Sequence, residues 1–349
     1  MAIHAYTTQA GRVNEIKGEI LAHAEPVEVL ALGCTMKKMP KNAGDNISYR
    51  RWLPYGATST SANTQNRPTV SAVAHLLSEG VTPTADTMTP VDVNVVILQY
   101  GCLYSYTDKT AELYEDDVPA EMKIQTGERV ALLREMIRFG ALKAATNAIY
   151  AGGTTRATVD ETISLNNLRQ MAKTLLANHA KMKTRILAPG PNYDTKAVEA
   201  GFVVFAHTDM EPDIRDLPGF TPVAKYANRQ PISPYEIGMV ERFRFIGSPE
   251  LAPYLAGGAT SSGTGMVSAG ASKVDVYPMI VCAEDAAFDI ALRGADSLKV
   301  NHLPHTHVDK SDMLGQRGYI GTAFWSAVLV TNHGWMGVIE SGATDLAES

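Results

Sequence analysis

The longest regular pattern in this 349-residue chain is the stretch 116–150, DDVPAEMKIQTGERVALLREMIRFGALKAATNAIY. Asp116 or Asp117 can cap a helix here, and Pro119 follows in the first turn, where its missing N–H is not needed. Apolar residues then recur every three or four positions, which predicts one continuous helix that ends before Gly152-Gly153. This apolar stripe consists of Val130, Leu133, Ile137, Ala141, Ala144 and Ala148.

The charges along this stretch support the same prediction. Acidic residues cluster at its start, between Glu115 and Glu121, and basic residues follow from Arg129 to Lys143. That order matches the helix macrodipole. About thirty residues at 1.5 Å each make a rod of roughly 45 Å, well beyond the usual length of about three turns. We therefore predict a spine helix over 118–150 that organises the rest of the fold.

A long polar segment lies upstream of the helix, between two strand patterns. Residues 47–53 form the first pattern, and in the second Val91, Val93 and Val95 alternate with polar residues, as in a half-buried strand. Residues 53–70 between them are rich in Thr, Ser and Asn. The sequence therefore predicts a large β-hairpin with a polar tip. Such a hairpin is marginally stable alone in water and needs a surface to lie on.

The remaining elements mix helix and strand. Ser164 can cap a second helix with a stripe of apolar residues, and strands are predicted over 201–206, 239–246, 274–281, 319–331 and 335–339. These elements lack βαβ regularity, so the predicted fold class is α+β. Residues 1–44 show no sustained periodicity, which predicts an extended arm with a short helix around 12–23. The second helical stripe consists of Leu165, Leu168, Met171, Ala172 and Leu175.

The charge composition excludes one class of function and indicates another property. Acids outnumber bases by 37 to 31, giving a formal charge of −6, which argues against a basic protein that packs nucleic acid through many phosphate contacts. Only 19% of the residues are charged. So low a fraction indicates a weakly polar surface, part of which is covered by partners.

Targeting patterns and cysteine usage predict a soluble protein of a reducing compartment. The N-terminus lacks the basic and apolar regions of a signal peptide, and no apolar run approaches the roughly 20 residues of a membrane span. Cys34, Cys102 and Cys282 lie far apart in the sequence. They form neither a CxxC pair nor a disulfide framework, so we expect them to be small buried apolar residues.

Three closely spaced histidines are the best metal-site candidates. His302, His305 and His307 precede Asp309 and Asp312, and imidazole and carboxylate groups are zinc ligands. However, this spacing has no geometric basis comparable to two histidines one helical turn apart, and a proline interrupts it. A polar connecting loop is therefore the preferred interpretation, with a metal-dependent hydrolase kept as the alternative. We find no nucleophile paired with a base, and we predict neither enzymatic activity nor a cofactor.

A group of arginines with one tryptophan marks candidate contact residues. Arg50, Arg51 and Trp52 are adjacent, and Arg67 follows in the polar tip. Such residues can contact nucleic acid, but Trp and Arg are also enriched in protein interfaces. We therefore predict that these four residues make contacts between subunits.

The order of arm, hairpin, spine helix, mixed region and returning strands resembles the Hong Kong 97-type major capsid fold of tailed phages and herpesviruses. Five short strings are similar, in order, to the major capsid protein family of enquatro-type podophages over about residues 45–340. The strings are SEGVTPT (78–84), LQYG (98–101) with the following Thr107-Asp108, EIG (236–238), FRFI (243–246) and LGQRGYIG (314–321).

This resemblance implies a function and a domain organisation. It implies hexamers and pentamers of an icosahedral shell that encloses double-stranded DNA without sequence-specific binding, in a virion assembled in the host cytoplasm. Further implied partners are portal, scaffold or decoration proteins, with no membrane contact. A non-enzymatic adaptor is a third interpretation. The implied regions are an N-terminal arm (1–44), an extended loop (45–110), a peripheral domain with the spine helix (111–164 and 301–349) and an axial domain (165–300).

Overall fold

Two β-sheets joined by one long helix form most of the chain in a computed structural model. The structure describes residues 27–346 except 43, 56–67, 69, 84, 115–116, 184–200, 226–230, 262–264, 271, 294–297, 309 and 311. The predicted helix around 12–23 lies outside these residues. The mixture of helices and mostly antiparallel strands confirms the α+β prediction.

The described elements are as follows in chain order. The strands are β1 (Thr35–Met39), β2 (Asn46–Trp52), β3 (Pro90–Val96), β4 (Leu98–Thr107), β5 (Ala148–Tyr150), β6 (Phe202–His207), β7 (Thr221–Pro222), β8 (Glu236–Val240), β9 (Phe243–Ser248), β10 (Tyr277–Cys282), β11 (Ala287–Leu292), β12 (Leu298–Leu303), β13 (Arg317–Val330) and β14 (Met336–Ser341). The helices are α1 (Asp108–Leu113), α2 (Val118–Leu142), α3 (Leu165–Ala177) and α4 (Glu211–Arg215), and a 3-10 turn at Leu30–Gly33 is called the arm turn.

The five-stranded sheet is built around the long strand β13. Strand β4 pairs antiparallel with one edge of β13, β11 and β12 pair with the other edge, and β1 extends the sheet in parallel with β11. Alternate residues of β13 are buried, among them Ile320 and Phe324. Helix α2 lies on this sheet: the guanidinium of Arg134 is 5.1 Å from the ring centre of Phe324, and that of Arg129 is 5.7 Å from Tyr104.

The seven-stranded sheet has the order β5-β14-β10-β6-β9-β8-β7 and is buried on both faces. Its central strands are therefore continuously apolar rather than alternating, as is usual for sheets covered on both sides. Helix α3 covers one face with Leu168, Met171 and Leu175, which are fully buried. The other face contacts Phe139 and Leu142 at the end of α2. Helix α2 thus contacts both sheets.

The predicted spine helix over 118–150 is correct at its start and wrong at its end. Asp117 caps α2 by accepting the N–H of Ala120 at 3.1 Å, but the helix ends at Leu142 and β5 begins at Ala148. Asn147 explains the ending. Its side chain donates to the carbonyl groups of His333 and Met336, and its carbonyl accepts the N–H of Val338. These tertiary contacts outweigh the helix propensity of the alanine-rich stretch, because propensity is readily overridden by tertiary structure.

The strand pairing of the predicted hairpin is confirmed, and its surface of support is the chain's own sheet. Most of the predicted polar tip lies outside the described residues. Strands β2 and β3 pair antiparallel over seven residue pairs, from Asn46↔Val96 to Trp52↔Pro90, and form a stem. One face of the stem packs on the five-stranded sheet. The packed side chains are Ile47, Tyr49, Val93 and Val95 from the stem and Phe288, Ile290, Ala327 and Leu329 from the sheet.

Two further predictions change in detail. The strand predicted over 239–246 is a tight hairpin of β8 and β9, which turns at Glu241 with a φ of 49°. Sheet membership also cuts across the predicted domain ranges: β14 lies within the seven-stranded sheet, and β11 lies in the five-stranded sheet. The chain passes from one sheet to the other between β10 and β11 and again between β13 and β14. The division into peripheral and axial domains stays a prediction.

Two of the three cysteines are buried, as the sequence predicts. Cys34 and Cys282 are buried, and desolvation by burial raises the pKa of each thiol to about 12. Cys102 is half-buried, with its sulfur 3.0 Å from Thr322 Oγ1. Among the residues that the structure describes, no helix has the length and apolarity needed to cross a membrane.

Two glycine substitutions, which should change the free energy of unfolding in opposite directions, test the packing of the helices and sheets. A methyl group at Gly337 would overlap the thioether of the fully buried Met171. We expect Gly337→Ala to lower the free energy of unfolding by about 1–3 kcal/mol. Gly127 lies within α2, and outside the helix's own backbone no atom lies within 4 Å of an added methyl group. Gly127→Ala should therefore raise the free energy of unfolding by about 0.5–1 kcal/mol. Urea unfolding of both variants measures these changes, and a stabilising Gly337→Ala would contradict the packing described.

Candidate assembly surfaces

The outward face of the hairpin stem carries two of the predicted contact residues. Arg50 and Asp92 face each other across the stem and form two hydrogen bonds, of 2.7 and 2.9 Å. The Arg50 guanidinium holds the pKa of Asp92 below its usual range. Trp52 lies on the same face and is 53% exposed. This face therefore presents a large indole beside an internally neutralised ion pair.

Arg51 lies on the opposite face, because successive residues of a strand point to opposite sides. Its side chain is half-buried toward the body of the protein, and desolvation lowers its pKa. Burial, together with the charge of Arg51, lowers the pKa of His333. Arg67 lies outside the described residues. The structure thus brings together Arg50 and Trp52, and it separates Arg51 from them.

The segment beyond the stem carries an exposed apolar group that sequence reasoning missed. Val73, Leu76 and Leu77 are 85%, 82% and 72% exposed. Tyr55, just after β2, holds this segment: its hydroxyl lies 2.5 Å from His75 Nε2. The cluster VAHLL (73–77) was the available signal, but it directly follows the residues interpreted as a polar tip. We call Val73, Leu76 and Leu77 the loop cluster.

The start of the described chain is held by a buried carboxylate on α2. Glu135 Oε1 accepts the N–H groups of Val29 and Leu30, at 2.9 and 2.8 Å. These N–H groups lie at the beginning of the arm turn, where a helical turn leaves donors unpaired. Burial raises the pKa of Glu135 above its ordinary value, although the two N–H groups and Arg138 act in the opposite direction.

Arg138 connects this carboxylate to two further elements. Its Nε donates to Asp289 of β11 at 2.9 Å, and its Nη1 lies 3.0 Å from Glu28 and 3.4 Å from Glu135. The side chains of Arg138, Glu135 and Asp289 are almost completely buried. One guanidinium therefore joins α2, the five-stranded sheet and the arm. The sequence prediction treated Arg138 only as a base near a helix end, and the signal missed was Glu135, Arg138 and Leu142 on one helix face.

The histidine cluster does not converge on a common point. His302 Nε2 lies 3.1 Å from the hydroxyl of Tyr106, whereas His305 Nε2 lies 3.4 Å from Glu112. His307 is exposed, and Asp312 accepts N–H groups from the backbone of its own loop. Within the described ranges, no group of three or more His, Cys, Asp or Glu side chains is arranged to hold a metal ion.

Sequence comparison finds a distant relative that is a capsid protein. No protein-family model matches the chain. A curated relative, the major capsid protein of Pseudomonas phage KPP21, is 21% identical over 266 residues. The alignment covers 70% of this chain and 66% of the relative, so the chain spans just under two thirds of the length of the curated relative it matches.

Solved structures of phage capsids match almost the whole chain. The capsid of Ralstonia phage GP4 has a TM-score of 0.65 at 13% identity and covers 96% of both chains. The Cyanophage Pam1 capsid asymmetric unit has a TM-score of 0.60 at 14% identity, covering 97% of this chain and 98% of that one. The chain has the Hong Kong 97-like capsid fold. The predicted resemblance to phage major capsid proteins is thereby confirmed, and the hydrolase alternative finds no support.

Within this capsid fold, substitution of Arg138 tests the buried ion group. Arg138→Met leaves the carboxylates of Glu135 and Asp289 buried without their cation, so we expect the free energy of unfolding to fall by about 3–5 kcal/mol. Arg50→Met removes a solvent-exposed pair and should leave stability nearly unchanged. Chemical unfolding of the unassembled chain compares the two. Equal effects would show that burial of the Arg138 group is energetically unimportant.

The raised pKa of Glu135 predicts a dependence on pH. Because the folded pKa lies above the ordinary value of 4.5, Glu135 contributes most to stability below that value, and this contribution is lost as pH rises through the folded pKa. Glu135→Gln removes the titration. Between about pH 4 and pH 7, the wild-type free energy of unfolding should therefore fall relative to that of the variant. Unfolding curves across this range measure the difference, and a constant difference would contradict the assignment.

Proposed function

We propose that this chain is a major capsid protein that assembles with copies of itself into the hexamers and pentamers of an icosahedral shell. The observation that carries the proposal is the match of nearly the whole chain to solved phage capsids. The major capsid protein of phage KPP21 supports it from the sequence side. On this proposal the protein has a structural role in the virion and no enzymatic activity.

The contents and further partners of the shell belong to the same proposal. A formal charge of −6 suits a container that encloses double-stranded DNA without adhering to it, because it provides no excess of basic residues for phosphate contacts. Portal, scaffold or decoration proteins would be further partners, and assembly would take place in the host cytoplasm. The arm, the extended loop and the two domains would have the ranges predicted from the sequence, adjusted for β11 and β14.

The hairpin geometry suggests how neighbouring subunits join. The stem uses one face to pack on its own sheet, which fixes the direction in which the loop leaves the subunit. The loop cluster then presents three apolar side chains that nothing in the described part of the same chain covers. Exposed apolar groups of this kind mark interaction surfaces. We assign the loop cluster, together with Arg50, Arg51, Trp52 and Arg67, to contacts with adjacent subunits.

Replacing the loop cluster tests this assignment. The triple variant Val73→Ser, Leu76→Ser and Leu77→Ser removes apolar surface that is exposed in the single chain. We expect the unassembled variant to unfold at the wild-type denaturant concentration, because these side chains bury little area within their own subunit. We also expect its yield of closed shells to fall at least tenfold. Sedimentation velocity and negative-stain electron microscopy measure the assembly.

A matched control comes from the packed face of the stem. Val93→Ser removes an apolar side chain that packs within the subunit, so it should lower the stability of the unassembled chain before any assembly takes place. Wild-type shell yields from the triple variant would overturn the role of the loop cluster. A wild-type protein that forms only small oligomers under every assembly condition would overturn the proposed function itself and favour an adaptor.

A further inference from the structure

The arm turn is held at its two ends by side chains of opposite charge, the buried carboxylate of Glu135 and the half-buried ammonium group of Lys183. At its start, Glu135 accepts the N–H groups of Val29 and Leu30. At its end, Lys183 Nζ donates to the carbonyl oxygen of Leu32. An anion at the first N–H groups and a cation at the last carbonyl groups match the dipole of a helical turn. The two charges come from α2 and from the segment after α3, which are distant in sequence.

Neither charge is in an environment that favours its ionised form. Burial raises the pKa of Glu135, and burial lowers the pKa of Lys183 despite the nearby Cys282 and Cys34. Buried charges of this kind often add no stability relative to apolar side chains of the same size. We therefore ask which arrangement of the chain Glu135 and Lys183 select.

The apolar contacts of the arm turn leave that arrangement undetermined. Val29 and Leu30 are fully buried in the core between α2 and the seven-stranded sheet. Apolar burial has no direction, so it tolerates a rotated or shifted turn. Hydrogen bonds to defined N–H and carbonyl groups do not tolerate such a shift, because each requires its donor and acceptor to be aligned.

We propose that Glu135 and Lys183 are positioning residues, which select one orientation of the arm turn and so fix where the described chain begins on the subunit. Lys183 adds a second connection. Its backbone N–H donates to the carbonyl of Gly201 at 2.9 Å, so two residues that are 18 positions apart in the sequence are paired. The same residue thus joins the arm turn to Gly201, directly before β6. The proposal rests on the proposed function insofar as the arm contributes to shell assembly.

Hydrogen–deuterium exchange on the unassembled full-length chain tests the proposal. In Glu135→Leu we expect the amides of Val29 and Leu30 to exchange about tenfold faster or more, the factor that corresponds to about 1.4 kcal/mol. In Lys183→Met we expect the same increase at Leu32 and Cys34, whose N–H groups close the turn. The melting temperature of Lys183→Met should stay within about 2 °C of wild type, whereas that of Glu135→Leu should fall, because the substitution removes a carboxylate from Arg138 and leaves two buried N–H groups unpaired. Glu135→Gln keeps an oxygen acceptor and should retain protection at Val29 and Leu30.

Two neighbouring substitutions serve as controls. Glu128→Leu removes a carboxylate two turns earlier on α2, and Lys181→Met removes an exposed cation two residues before Lys183. Neither should change exchange in the arm turn. If Glu135→Leu does not fold, Lys183→Met and Glu135→Gln decide the question alone.

Each outcome supports or overturns the proposal. Wild-type protection of residues 29–34 in Glu135→Leu and Lys183→Met would overturn it. A large fall in the melting temperature of Lys183→Met with loss of protection throughout the chain would also overturn it, since Lys183 would then act by stabilising the whole fold. Shells of wild-type size and yield from variants with a loosened arm turn would also overturn it. Failure of the wild-type chain to form shells would instead overturn the proposed function, and the exchange data would still decide the orientation of the turn.

Discussion

The arrangement of this fold depends on the ion pairs of the buried Arg138 guanidinium. This guanidinium is surrounded by carboxylates from its own helix, from β11 and from the arm, so three elements that are far apart in sequence meet at one buried cation. Removing a partner from a buried charge is strongly destabilising, because an unpaired ion in a low-dielectric interior is disfavoured. The ion group therefore favours arrangements in which the helix, the five-stranded sheet and the arm meet at Arg138.

From this point the role of α2 becomes clear. Its earlier part lies on the five-stranded sheet, with Arg129 and Arg134 over aromatic rings, and its end packs Phe139 and Leu142 against the seven-stranded sheet. A helix that bridges two sheets fixes their relative orientation, which neither sheet could do through the short connections between strands. The capsid fold found in the comparisons thus has a physical basis in this chain: one helix, two sheets and an ion group at their junction.

The sequence predicted those features that depend on local pattern. Ser164 caps α3 as expected, because a capping serine accepts an N–H group only three residues further along the chain. The alternation of Val91, Val93 and Val95 identified β3. The sequence did not predict where α2 ends, because Asn147 is held by groups some 190 residues further along the chain. Glu135 and Arg138 were missed for a similar reason. The sequence does not reveal that these charged residues are buried, because their partners are brought to them only by the fold.

The candidate surfaces divide along the same line. Arg50, Arg51 and Trp52 were found by residue type, and the structure shows which face of β2 packs on the sheet and which faces outward. The loop cluster was hidden because an exposed apolar triplet and a buried one look alike in sequence. Its exposure depends on the surrounding chain, including the contact between Tyr55 and His75 that holds the segment.

The seven-pair register of the hairpin stem has a consequence for how such proteins diverge. Inserting or deleting a single residue in β2 would turn its packed side chains outward and its polar side chains toward the sheet. Between Trp52 and Pro90, by contrast, the chain can lengthen or shorten without disturbing that alternation. We therefore expect length variation among related proteins to concentrate in the loop and to be nearly absent from the stem, so that the reach of the loop can change during evolution while its root does not.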